Sequence, residues 1–328
     1  MLGVFVLLPL TAAVLLGDVS RAAAQDSTKD YPAKPITLIV PFPAGGGVDV
    51  IGRIVGEKLA AALGQPVIID NRGGAAGVIG TRVAARSAPD GYTLVMATSG
   101  SIAINPNLYA NPGYQTLKDL APIGLISTTP IVLMAHPSSP QQTLAEIVTE
   151  AKRDPSKINI GTPPPGTSAN LGAELLKSMA GIDFTIVTYR GTGPLTTDLL
   201  GGHVKLGLNV LAPAMSNIKG GTLKAVAVLA PKRSSHLPDV QTSAEAGLPG
   251  FEAGLNYGLL APIGTPRPII ERLNRELRLI VDTPDVGARI ASDGGDPMPS
   301  TPEEYTADIE REDRKWGALI RKLGLKVE

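Results

Sequence analysis

Four short stretches of this chain place glycine and hydroxyl residues at the start of an apolar-periodic segment. That combination suits the capture of an anion by backbone amides. The first is Pro41-Phe-Pro-Ala-Gly-Gly-Gly-Val-Asp49. Its glycines let the backbone approach a ligand closely and expose amides at the positive end of the helix that follows. Ala44, Gly45 and Gly46 are the candidate contacts, and Asp49 either caps the helix or orients the loop. The run is no dinucleotide fingerprint, because G-x-G-x-x-G needs glycine where Val50 stands, and no Gly-Lys-Ser/Thr follows to make a P-loop.

The second stretch, Ala97-Thr-Ser-Gly-Ser101, offers the hydroxyls of Ser99 and Ser101 to carboxylate oxygens, although such residues are also ordinary turn formers. In the third, Gly161-Thr-Pro-Pro-Pro-Gly-Thr-Ser168, the residues Gly166, Thr167 and Ser168 lead into a helix. A capping hydroxyl and free amides would face an anion there. The fourth, Thr188-Tyr-Arg-Gly-Thr-Gly-Pro194, holds Arg190, which pairs with a carboxylate or remains a solvated surface arginine. Asn209 and the pair Asn256-Tyr257 end or begin strands and can add side-chain hydrogen bonds.

Reactive constellations are missing. The chain has no cysteine, and its three histidines (His136, His203, His236) show no HxH or HExxH spacing, so neither a thiolate nor a zinc site is expected. There is no G-x-S-x-G elbow and no carboxylate cluster of metal-site spacing. Amide-rich loops without a reactive group point to binding without catalysis, and no metal or cofactor is expected.

The elements that must position these loops alternate along the chain. Ile36–Val40 reads as a buried strand stopped by Pro41, Val48–Leu63 as a helix ended by Gly64, and Val67–Asp70 as the next strand. This βαβ order predicts an α/β fold with a parallel sheet. The same alternation continues through helices at Gly77–Ala85, Leu144–Lys152, Ser168–Ala180 and Pro194–Leu200. Between them lie strands at Tyr92–Ala97, Pro122–Met134, Ile158–Ile160, Thr185–Tyr189, Leu206–Val210 and Lys224–Leu229. A strand at Tyr257–Ala261 precedes amphipathic helices at Arg267–Val281 and Pro302–Leu323. In open parallel sheets ligands sit beyond the carboxyl ends of strands, which is where the four loops fall.

With 328 residues, two lobes are expected rather than one core. Thirty basic residues balance thirty acidic ones, which argues against a nucleic-acid or membrane-surface binder. Aromatic content of 4% leaves little for stacking platforms. The apolar run Leu2–Leu16 falls short of a span of roughly 20 residues. Ala22-Ala-Ala24 follows it, so residues 1–24 read as a signal peptide, although no Lys or Arg precedes the run. The mature chain is then expected in the periplasm.

Several runs resemble the tripartite tricarboxylate transporter receptors, also called Bug proteins. They are Pro41–Asp49, Gly64-Gln-Pro-Val67, Asp70-Asn-Arg-Gly-Gly74, Pro89-Asp-Gly-Tyr-Thr-Leu94, Tyr189-Arg-Gly191, Asp198-Leu-Leu-Gly-Gly202, Leu237-Pro-Asp-Val240, Ala244–Phe251 and Ala261-Pro-Ile-Gly-Thr-Pro266, in order from about residue 33 to the C-terminus. The resemblance implies a two-lobed periplasmic-binding-protein fold, type II-like, with the ligand in the interlobe cleft. One lobe would comprise 33–127 plus 256–328 and the other 128–255. Ala44 to Asp49 and Gly166 to Ser168 would grip the ligand, and Ser99, Ser101, Tyr189, Arg190, Gly191 and Asn209 would line the cleft. The implied ligand is a small organic carboxylate, and the implied partners are the membrane subunits of a tripartite tricarboxylate-type transporter. A monomer is the default.

The chain departs from the family pattern at Pro163-Pro-Pro165, where Ser or Gly is common, and at Asn170, where His is common. Three prolines remove three amide donors. A mono- or dicarboxylate is therefore expected in preference to citrate. Two other functions use the same cleft: an exported α/β enzyme acting on a small carboxylate, and a sensing subunit for a membrane signalling partner.

Overall fold

A computed structural model describes residues 30–292 and 294–327. The signal-peptide reading concerns residues outside that range. Strand β1 (Ile36–Val40) lies between β2 (Val67–Asn71) and β3 (Thr93–Thr98), parallel to both. Helix α1 (Gly47–Leu63) and helix α2 (Val78–Ala85) make the connections. Gly64 ends α1 with φ 71°, a left-handed conformation that costs glycine no Cβ clash.

The 16-residue β4 (Leu120–Ala135) then leaves this group of strands. From Leu120 to Pro130 it pairs antiparallel with β9 (Gly254–Pro262). From Ile131 to Ala135 it pairs instead with β7 (Leu206–Val210) and, over Val132–Ala135, with β8 (Lys224–Val228). Beyond β7 lie β5 (Asn159–Thr162) and β6 (Thr185–Thr188), parallel to one another. Helices α3 (Leu144–Arg153), α4 (Ser168–Ala180) and α5 (Thr192–Leu200) connect them. The first lobe thus holds β2-β1-β3-β9 with the first part of β4, and the second holds the rest of β4 with β7, β8, β5 and β6.

The expected parallel pairing holds for β2-β1-β3 in the first lobe and β7-β5-β6 in the second, while β9 pairs antiparallel with β3 and β4 antiparallel with β7 and β8. Strands β4 and β9 run antiparallel, because one carries the chain out to the second lobe and the other brings it back. Sequence periodicity also missed α7 (Pro284–Ser292) and the two-residue β10 (Asp296–Pro297), which follow α6 (Arg267–Val281).

The last helix, α8 (Pro302–Leu323), starts with a capping box in which Thr301 and Glu304 satisfy each other's backbone amides. Its first half buries Tyr305 and Ile309 among Val95, Ala97 and Leu260 of the first lobe. Its second half buries Trp316, Leu319 and Ile320 with Leu171, Leu175 and Phe251 of the second. A single helix therefore packs on both cores. Trp316 Nε1 donates to Glu312 Oε2 (2.8 Å), so the fully buried indole leaves no orphan donor. Trp316→Ala is expected to lower unfolding stability by about 3–5 kcal/mol, measured by urea denaturation with circular dichroism. A loss under about 1 kcal/mol would remove α8 from the joint core.

Candidate ligand-binding cleft

Between the lobes lies a cavity of about 680 Å³. Its floor is the crossing pair of strands. Thr129 and Ile131 of β4 and Leu255 and Tyr257 of β9 face it. Their neighbours Thr128, Pro130, Gly254 and Asn256 face a separate cavity on the opposite side. The two-residue period of the strands produces this division.

The first lobe contributes the entrance of α1. Gly46 is its N-cap in extended conformation, and no side chain caps the helix, which leaves the amides of the first turn without intrahelical partners. Ala44, Gly45, Gly46, Gly47 and Val48 all line the cavity. A side chain on Gly47 would begin 3.3 Å from the Tyr257 hydroxyl, so glycine keeps this wall open. Gly45 takes φ 86°, a second reason for glycine in the loop.

Asp49 stands behind this loop, 2% exposed. Its carboxylate accepts hydrogen bonds from Gly45 N (2.8 Å), Arg53 Nε (2.9 Å) and Asn71 Nδ2 (2.8 Å). Asn71 Nδ2 also donates to Phe42 O (3.2 Å), closing a network under the loop. Burial disfavours the charged carboxylate, but the hydrogen bonds from Arg53, Gly45 and Asn71 and the Arg53 charge outweigh it and hold the pKa below the usual range. Asp49 is thus a support for the entrance rather than a lining residue. Arg53 and Asn71 belong to the same support and were not singled out by sequence reasoning. The i,i+4 spacing of Asp49 and Arg53 is the signal that could have found the first of them.

The second lobe contributes the entrance of α4. Thr167 is its N-cap, accepting from Asn170 N (3.3 Å) and donating to Pro164 O (2.7 Å), so its hydroxyl is engaged within the loop. Asn170 Nδ2 donates to Thr162 Oγ1 (2.9 Å), which ties the end of β5 to α4. Ser168 differs from these. It is 2% exposed, lines the cavity, and its Oγ has no hydrogen-bond partner among the described residues. A buried hydroxyl in that state costs about 1–3 kcal/mol until something bonds to it. Thr192, first residue of α5, lines the cavity beyond an N-cap glycine, Gly191, that supplies no side-chain cap.

Several expected residues lie elsewhere. Ser101 is fully buried and bonds Thr98 (Oγ to Thr98 O, 3.0 Å), because the chain turns tightly after β3. Ser99 Oγ accepts from Asn256 N (2.9 Å), joining β3's end to β9. Thr98 and Gly100 from the same stretch line the cavity in their place. Asn209 is fully buried and donates to Thr192 O (3.3 Å), so it supports the α5 entrance. The Tyr189 hydroxyl donates to Asp198 Oδ2 (2.9 Å), and burial together with that carboxylate pushes its pKa up to about 12. Arg190 is exposed, with no ion-pair partner among the described residues, and Gly191 is open to solvent space. Gly166 touches the first lobe instead of the cavity. Of the three prolines, only Pro163 lines the cleft.

Among the described residues, no Asp, Glu, Lys, Arg or His lines the cavity. Phe42, Val48, Ile131, Val210 and Leu255 give it apolar walls. Its polar equipment is backbone amides at three helix entrances plus the hydroxyls of Thr98, Thr129, Ser168, Thr192 and Tyr257. This set can hold an anion without a counter-charge. It has no group placed for acid–base or nucleophilic work. No group of His, Cys, Asp and Glu suited to a metal ion occurs among the described residues.

Comparison with known proteins identifies the family. The tripartite tricarboxylate transporter family receptor profile matches residues 51–325. Protein BugT of Bordetella pertussis is 36% identical over 307 residues, covering 93% of this chain and 94% of BugT. Among solved structures, Rpa4515 of R. palustris with adipate superimposes with a TM-score of 0.80 at 30% identity, covering 90% of this chain and 99% of that one. MatC from Rhodopseudomonas palustris with bound malate gives 0.78 at 31% identity, covering 88% and 100%. With two α/β lobes, a neutral amide-lined cleft and a family match over most of its length, the chain belongs to the tripartite tricarboxylate transporter receptors, the Bug proteins, which are substrate-binding receptors and not enzymes.

Proposed function

We propose that this chain is a periplasmic receptor that captures a small organic carboxylate and delivers it, as a monomer, to the membrane subunits of a tripartite tricarboxylate-type transporter. The observation that carries the reading is Ser168, a buried hydroxyl without a partner among the described residues, in the first turn of a 13-residue helix that begins at the cavity. A carboxylate oxygen there would accept from Ser168 Oγ and from amides of the same helix turn. The facing entrance at Gly46–Val48 offers a second set of amides. Bound adipate and malate in two relatives support the carboxylate assignment. No helix among the described residues is long and apolar enough to cross a membrane, which fits a receptor that meets its transporter from outside the bilayer. The lobes of this reading divide near residues 127/128 and 255/256.

Apolar walls and the absence of a cation among the described lining residues favour a ligand with one or two carboxylates and a hydrocarbon segment over citrate. In a thermal-shift panel of hexanoate, glutarate, adipate and citrate, the linear acids should raise Tm by several degrees at about a hundredfold excess over Kd, where binding contributes about 2.7 kcal/mol. Strong stabilisation by citrate alone would overturn the preference.

Ser168→Ala is expected to weaken binding of the best linear acid about tenfold or more, as for loss of a charge-assisted hydrogen bond. Its ligand-free Tm should stay level or rise, because the variant removes an unpartnered buried hydroxyl. Unchanged affinity by titration calorimetry would take Ser168 out of the ligand's reach.

The pH dependence follows from the same lining. Affinity should be flat from about pH 6 to about pH 9, since no Asp, Glu, Lys, Arg or His among the described residues lines the cleft. Asp49 contributes stability that is fully present above its unfolded pKa of about 4 and is lost as pH falls through its lower folded value. Titration calorimetry across that range checks the first statement, and a sigmoidal loss of affinity near neutrality would contradict it.

A further inference from the structure

Asn105 is fully buried just beyond the tight turn Gly100–Ile104, and the ligand cleft does not include it. Its Nδ2 donates to Ala76 O (2.8 Å), while its Oδ1 is buried and has no hydrogen-bond partner among the described residues. Ala76 lines the cleft and sits in a left-handed conformation (φ 51°), next to Ala75 (φ 47°). Neither residue is glycine, so each costs roughly 1–2 kcal/mol of backbone strain that the surroundings must hold in place. Asn105 supplies one of those holds.

The other side of Asn105 meets the second lobe. Gly166, with φ 85°, lies so close that a Cβ there would stand 2.5 Å from Asn105 Oδ1 and 3.4 Å from Ala76 Cβ. A Cβ on Gly100 would stand 2.8 Å from Gly166 O. The first of these distances is one that real Cβ atoms do not adopt, whereas 3.4 Å is ordinary contact. Two residues beyond Gly166 comes Ser168, which lines the cleft.

We propose that Asn105 is a positioning residue for ligand capture. It fixes the Ala76 wall of the first lobe and forms the stop on which Gly166 of the second lobe rests. The stop sets the spacing between the α4 entrance and the first-lobe wall, and it works only because residue 166 carries no side chain. The unsatisfied Oδ1 marks the site as one retained for geometry, since an acceptor left unbonded there opposes stability. The affinity consequences of this proposal rest on the reading of the cleft as a carboxylate site; the contact itself does not.

A suppression experiment tests it in two independent arms. The chain has no cysteine, so Ala76→Cys with Gly166→Cys introduces a single possible disulfide, at a Cβ spacing close to the usual one. Its oxidation rate is measured with Asn105 present and again with Asn105→Ala added. Removal of the stop should speed cross-linking about tenfold, because only Oδ1 obstructs the new Cβ. Equal rates, or no cross-link in either background, would overturn the proposal without reference to any ligand. In the second arm, adipate affinity is measured for Gly166→Ala, Asn105→Ala and the double variant. Gly166→Ala should weaken binding about thirtyfold with Asn105 present and less than about threefold with Asn105→Ala. Equal losses in both backgrounds would overturn it. Gly287→Ala, inside α7 and with its new Cβ no nearer than 3.8 Å to Pro297, should bind like the parent chain. Failure of every linear acid to bind the parent chain would count against the carboxylate reading alone, and the cross-linking result would still decide the role of Asn105.

Discussion

An anion taken out of water must find partners, and among the described residues this cleft holds no cation to supply them. That constraint accounts for much of the architecture. With no side-chain charge, the remaining source of positive potential is the unpaired amides of helix N-termini. Helices α1, α4 and α5 all begin at the cavity, one from the first lobe and two from the second. Amides act at hydrogen-bond range, so the backbone itself must reach the ligand. Glycine at 45, 46 and 47 permits that on one side, and the tight turn through Gly166 permits it on the other.

Backbone donors are useful only when their loops are held still. Each entrance is braced from behind by groups that do not touch the cavity. Asp49, Arg53 and Asn71 brace the first, Thr162 and Asn170 the second, and Asn209 the third. Asp49 takes the Gly45 amide for itself, so that donor orders the loop instead of binding ligand. The lobes are held to one another by the β4–β9 pair and by α8, whose two halves belong to different cores. Domain rotation in such a frame is restrained to bending of two adjacent strands, with α8 moving along.

The loops that make the cleft were legible in the sequence because each joins a strand to a helix through glycine or a hydroxyl. Ala44 to Gly46, Thr167 and Ser168 reach the cavity for that reason. What the sequence could not show is which polar atoms are already spent. Ser99 and Ser168 are the same residue type in similar surroundings, yet one hydroxyl bonds Asn256 N and the other bonds nothing. That difference depends on residues distant in the chain. Thr129, Ile131 and Leu255 escaped notice because a buried strand reads as uniform apolar sequence, and only its pairing tells which face meets a cleft. The antiparallel relation of β4 and β9 was hidden likewise, since 118 residues separate the end of one from the start of the other.

A neutral cleft also selects by what it fails to compensate. Each carboxylate carried inside loses its hydration, at an effective cost of several kcal/mol, and recovers it only where donors are already aimed. Entrance amides and the Ser168 hydroxyl can recover the cost for a carboxylate placed against them. On the reading proposed above, a third carboxylate would lie against the side chains of Phe42, Val210 or Leu255, which carry no donor. A hydrocarbon segment in that position gains instead, at roughly 25 cal/mol for each Å² removed from water. On that reading selectivity arises mainly from the price of an unmatched charge, which a cleft lined with lysine or arginine would lower.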